Sequence, residues 1–161
     1  MTLPQDQMGN RMSDKIEIVD EFGEVLKTVK VREGQDGFAG VCWQGAILYG
    51  AQLAGANFKG AELYMIGFFM AKLDGANFEG AQMQGADLKE ASCVGTSFRN
   101  ANLGRGNMGG STQFQGANLT KAILNRANLD GAEYDDRTLF PKGFYPSSHG
   151  MIETETEKSD D

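Results

Sequence analysis

The chain is poor in the residues from which most enzyme sites are built. It holds one histidine, His149, two cysteines, one tryptophan and three prolines in 161 residues. With one histidine and no cysteine cluster, a zinc site of the usual His–Cys kind cannot be assembled. A Ser–His–Asp arrangement would rest on His149 alone, at the edge of the C-terminal segment, where nothing in the sequence holds it. Asp135 and Asp136 stand side by side, but they read as solvated turn residues. The sequence thus nominates no catalytic residue, no metal ligand and no cofactor-binding residue, and an enzyme is not expected. No run of eighteen apolar residues occurs, so no membrane-spanning helix is expected. The first fifteen residues are polar and lack an apolar signal-peptide core, which makes the cytoplasm the expected location. In that compartment Cys42 and Cys93 are expected to stay unpaired.

Charge of one sign is also scarce where it would matter. The net charge is -7, yet residues 38–140 hold nine acids and eight bases. The acidity belongs to the flanks, with eight acids and five bases in residues 1–37 and five acids and two bases in residues 141–161. Bases in the middle of the chain are scattered among acids, and no stripe follows a phosphate backbone. Direct nucleic-acid binding is therefore not expected. Gly104-Arg105-Gly106-Asn107-Met108-Gly109 matches GxGxxG, but it neither follows an apolar strand nor opens a helix, so it carries no dinucleotide signal.

What the chain does have is a five-residue phrase repeated about twenty times between Phe38 and Leu139. A large apolar residue marks the centre of each phrase. The centres run in steps of five from Phe38 to Met108 and, after one extra residue, from Phe114 to Leu139. Ala usually stands two positions earlier. Residues two apart share a face of an extended chain, and a period of five fits neither a helix nor a long strand. The chain must turn once per repeat, and the Gly that closes most repeats permits that corner. Phe38, Phe58, Phe78 and Phe98 recur every twenty residues, which predicts four repeats per circuit and one column of stacked phenylalanines. Coils are expected about 4.8 Å apart, and about five of them are expected in all. A corner bulge near Gly109–Thr112 is expected to absorb the extra residue; a small binding protrusion is the alternative.

The phrase, as in Ala56-Asn57-Phe58-Lys59-Gly60 and Ala117-Asn118-Leu119-Thr120-Lys121, resembles the pentapeptide-repeat family over residues 38–140. The resemblance implies an all-β fold, a right-handed, four-sided parallel β-helix with the centre and the preceding Ala pointing inward. It also implies two kinds of function. Members of the family that resemble duplex DNA bind DNA gyrase and confer quinolone resistance, whereas most have no known activity.

The flanks complete the expected organisation. Residues 1–14 read as a flexible tail. Residues 15–37 read as a β-hairpin, with Ile16 and Ile18 alternating with charges before a turn at Asp20–Gly23, and a solenoid needs its apolar end covered. In residues 141–161, Phe144 and Tyr145 are placed to close the last coil, and an acidic tail after Gly150 is expected to be mostly disordered.

One irregularity points to function. Outward and corner positions in the first two coils carry Ile47, Tyr49, Tyr64, Met65, Phe69 and Met70. Tyr49 and Phe69 are twenty apart and should lie side by side. Aromatics offer about 150–250 Å² each, enough to make a patch that monomers seldom leave open. Either the hairpin or the segment after residue 140 covers it, or it is a protein-binding surface, a homodimer interface included, or it is exposed without a role. The reading is a non-catalytic interaction or scaffold module whose protein partner is not named by the sequence. The alternative is a gyrase-binding DNA mimic, which needs a strongly acidic rod where this one sums to near neutral.

Overall fold

Alternating small and large inward residues lay the chain down in flat coils, and the computed structural model shows how they stack. It describes residues 15–30, 34 and 36–157. The tail expected over residues 1–14, residues 31–33 and 35 of the hairpin segment, and the acidic end 158–161 lie outside the described residues.

Each coil takes four repeats, so in the first coils a residue just before a centre pairs in parallel with its counterpart twenty residues on: Cys42 with Glu62, Ile47 with Gly67, Gln52 with Lys72, Asn57 with Asn77. Backbone bonds run along the stack, as from the Leu48 N–H to the Gly67 carbonyl at 2.7 Å and from the Phe58 N–H to the Asn77 carbonyl at 2.7 Å. A tight turn then closes the corner, as from the Ala51 N–H to the Leu48 carbonyl at 3.2 Å. The result is an all-β solenoid with four faces. The first carries centres Phe38, Phe58, Phe78, Phe98 and Leu124, and the second Trp43, Leu63, Met83, Leu103 and Leu129. The third carries Leu48, Phe68, Leu88, Phe114 and Tyr134, and the fourth Leu53, Leu73, Cys93, Leu119 and Phe140.

These centres fill the interior with the alanines beside them; Phe58, Phe68, Phe78, Phe98 and Phe114 are fully buried. Rings of the first face stack along the axis, with centroids 5.0 Å apart from Phe38 to Phe58, 5.0 Å from Phe58 to Phe78 and 5.4 Å from Phe78 to Phe98. The spacing is that of hydrogen-bonded strands, so ring stacking and backbone bonding are satisfied by one repeat distance. Thr96 and Thr112 stand inward where Ala is usual, and each buried hydroxyl donates to a carbonyl of the coil above, Leu73 at 2.7 Å and Met83 at 3.1 Å.

The N-terminal strands β1 (Lys15–Val19) and β2 (Val25–Lys30) pair antiparallel. Their turn is held by Asp20 Oδ1, which accepts from the Phe22 and Glu24 amides at 2.9 Å each. Ile18 is buried against the first coil, and the Val19 carbonyl accepts from the Gln52 N–H at 2.8 Å.

Four expectations require correction. The extra residue is not a bulge. Pairing shifts from a spacing of twenty at Gln82–Asn102 to twenty-six at Asp87–Gln113, so residues 106–111 form a six-residue outward loop closed by a Gly106 N–H to Gly110 carbonyl bond of 2.8 Å. Met108 is consequently no centre; it is 93% exposed at the loop tip. Its repeat has Gly106 where an inward Ala would anchor it, and three glycines leave the backbone free to depart. Leu139 is no centre either. The Asp135–Thr138 turn adds a residue, Leu139 pairs with Asn118, and Phe140 turns inward instead. Finally, residues 151–157 are not disordered. Strand β4 (Ile152–Glu153) pairs in parallel with β3 (Glu133–Tyr134), and Met151 is buried. Two backbone bonds of 2.8 Å, from Ile152 to Ala132 and from Thr154 to Tyr134, hold the segment as a further rung of the third face. Among the described residues no helix is long and apolar enough to cross a membrane.

Candidate interaction faces

The third face carries one ladder from end to end: Ile47, Gly67, Asp87, Gln113, Glu133 and Ile152. Its N-terminal half is apolar. The Tyr49 and Phe69 rings meet edge to face with centroids 5.9 Å apart, a favoured aromatic geometry. The Cε1 edge of Tyr49 rests against Gly67, where a Cβ would stand 2.5 Å from it; the missing side chain makes room for the ring. Ile47 is 66% exposed, Tyr49 47%, Met65 59% and Met70 50%, whereas Tyr64 and Phe69 are half-buried. Met65 and Met70 occupy the two corners that bound the face, and Tyr64 sits around the Met65 corner on the second face.

The structure brings Met108 to that corner, which the sequence did not suggest. Tyr64, Met65, Gln84, Gly85 and the 106–111 loop line a hollow of about 630 Å³. The apolar surface therefore bends over the corner from the third face onto the second.

The C-terminal half of the third face is polar and tightly bonded. Asp135 is buried, against the expectation of a solvated turn residue. It accepts from the Gly116 N–H at 2.9 Å and from Arg137 Nε and Nη2 at 3.0 and 2.8 Å. Arg137 also donates to Glu90, so one guanidinium ties the Asp135 turn to the coil two rungs back. Burial alone would push the Asp135 carboxyl up, but the bonds from Arg137 and the Gly116 amide, with the Arg137 charge, outweigh it and hold it below its usual value. Asp136 is exposed.

His149 is held after all, stacked on Phe144 with centroids 4.4 Å apart, its Nδ1 3.0 Å from the Tyr145 carbonyl oxygen. Among the described residues no group of three or more His, Cys, Asp or Glu is placed to hold a metal ion. Cys42 is exposed and Cys93 is buried in the core, where desolvation, with the Asp74 charge nearby, pushes its thiol far above the ordinary range.

A five-residue repeat wound four to the coil, with Ala and a large apolar residue inside and variable polar faces outside, defines a repeat solenoid whose chemistry lies in its surfaces. The profile of pentapeptide repeats matches residues 38–64, 70–106 and 111–133 in eight copies, and the chain belongs to the pentapeptide-repeat family. A pentapeptide-repeat protein from Nostoc PCC 7120 is 30% identical, over 70% of this chain and 84% of that one, with a TM-score of 0.41. A second, from the Arabidopsis thaliana thylakoid lumen, is 30% identical over 62% of this chain and 66% of that one, with a TM-score of 0.41. QnrB1, a plasmid-mediated fluoroquinolone resistance protein, is 16% identical over 76% of this chain and 68% of its own, with a TM-score of 0.39. A search of curated proteins found no match to the chain.

Proposed function

We propose that this chain is a non-catalytic protein-interaction module that binds through the N-terminal half of its third face. The observation that carries this reading is the exposed group Ile47, Tyr49, Met65 and Met70 around the Tyr49–Phe69 pair. Two methionines occupy corners with φ of 55° and 56°, where glycine would be easier. That choice favours side-chain contact with a partner over backbone comfort. In this reading the 15–37 hairpin covers the first coil, a role supported by the burial of Ile18 and the Val19–Gln52 bond. Segment 141–157 covers the last coil, and the solenoid of about five coils between them is a rigid platform.

Light scattering across a concentration range, in salt high enough to screen charge contacts, tests the patch. A wild-type dimer that becomes a folded monomer in Tyr49→Asp/Phe69→Asp assigns it to self-association. A wild type that stays monomeric directs the search to another protein, with the wild type as bait and the double variant as control.

The second reading, a gyrase-binding DNA mimic, is favoured by carboxylates gathered on the lower third face and opposed by the cations on the first. A supercoiling assay with gyrase and a quinolone decides it: no protection at any ratio removes that reading.

A further inference from the structure

Charges that cancel along the chain do not cancel around it. In the C-terminal half of the first face, Arg99 and Arg126 line one hollow with Asn100 and Asn125. Arg126, Lys142 and His149 line a second beside it. No carboxylate lines either hollow, although the whole chain carries a net charge of -7. All four of these side chains are exposed.

Two faces away, on the opposite side of a four-sided coil, the third face shows the reverse. A hollow of about 660 Å³ is lined by five carboxylates, Glu90, Glu133, Asp135, Glu155 and Glu157. Its cations are Lys89 and Arg137, and Arg137 is already engaged by Asp135 and Glu90. The two surfaces also lie at the same height. Arg126 follows centre Leu124 in the coil that goes on to Glu133 and Asp135, and Lys142 belongs to the next turn, which ends on Glu153 and Glu155.

We propose that a second copy of this chain is the occupant of the first face: its acidic lower third face docks side by side on the basic lower first face, with the two solenoids parallel. A simple sideways translation brings Arg126 level with Glu133 and Lys142 level with Glu153 and Glu155, so no rotation or register shift is needed; Arg99 stands one coil earlier, level with Gln113 and Gln115. Such a contact is heterologous and leaves one basic and one acidic face open at its ends, so it grows with concentration rather than closing into a dimer. Its charged residues lie outside the Tyr49–Phe69 patch, though Phe69 borders the acidic hollow, and it does not depend on that reading.

Because the contact is electrostatic, salt is its first probe: the screening length falls from about 30 Å at 0.01 M to about 3 Å at 1 M. The weight-average mass of the wild type, by light scattering, is expected to climb with concentration at low salt and to lose that growth at high salt. Arg99→Glu/Arg126→Glu makes both faces acidic, and Glu155→Lys/Glu157→Lys makes both basic. Each variant alone is expected to lose the low-salt growth with an unchanged circular dichroism spectrum, and an equimolar mixture of the two to recover it. A wild-type mass that ignores salt overturns the proposal without any variant. So do reversals that associate like the wild type, or a mixture that does not recover. A chain that instead shifts a labelled DNA duplex while staying at one mass assigns the basic face to nucleic acid and also overturns it. The apolar patch stays separately testable, since its contact survives high salt and is removed by Tyr49→Asp/Phe69→Asp.

Discussion

Six residues other than glycine turn corners of the solenoid with φ between 55° and 60°: Met65, Met70, Glu90, Asn100, Lys121 and Arg126. For an L-residue this left-handed region costs roughly 1–2 kcal/mol. Replacing Met70 with glycine removes that cost, although glycine's greater freedom in the unfolded chain offsets part of the gain. Met70→Gly is therefore expected to raise the unfolding free energy by up to about 1 kcal/mol while weakening association through the third face. Urea unfolding and light scattering on one preparation check both, and a less stable variant would refute the strain. Corner methionines and outward aromatics were legible in the sequence, because a period of five assigns each residue a position. The bonded role of Asp135 was not, since the Gly116 amide it accepts from lies one coil back, and the Glu90 that shares its Arg137 partner lies two coils back.

At the scale of the element, the fold is a ladder into which other pieces are set. The 106–111 loop leaves the stack between Arg105, whose N–H still bonds the Asp130 carbonyl at 2.9 Å, and Thr112, which faces inward. Excising these six residues restores the spacing of twenty, so the deletion variant is expected to fold with an unchanged far-ultraviolet spectrum and a Tm close to the wild type. A lost transition would show that the loop is part of the stack. The existence of an interruption was visible as a slip of one residue. Its true size was hidden because six residues are one repeat plus one, so the pattern resumed as if only one had been added. Segment 151–157 was misread for a related reason. Its acidic composition argues against a packed core, but Met151 and two backbone bonds dock it as one more rung without needing a core of its own.

For the whole molecule, stability should depend on acid through the Asp135 turn, which joins the penultimate coil to the last. The Asp135 carboxyl is held below its unfolded value of about 3.9. Its stabilisation is thus fully present above that value and is lost as the pH falls through the folded pKa. The stability advantage of wild type over Asp135→Asn, from urea midpoints, is expected to be constant near neutrality and to shrink below about pH 4. An advantage equal at pH 7 and pH 3 would contradict the linkage.

The sequence by itself determined the repeat, the four-sided coil, the inward Ala and large apolar residues, and membership of the family. These follow from local alternation and from a period that recurs about twenty times, so each repeat reinforces the next. Only the tertiary structure decided what meets what across coils and around corners. It expelled Met108 and brought it beside Met65, buried Asp135, returned the acidic segment to the third face, and separated cations from carboxylates on opposite sides. The physical reason is that winding converts distance along the chain into angle around an axis, and a net charge summed along the chain contains no angle.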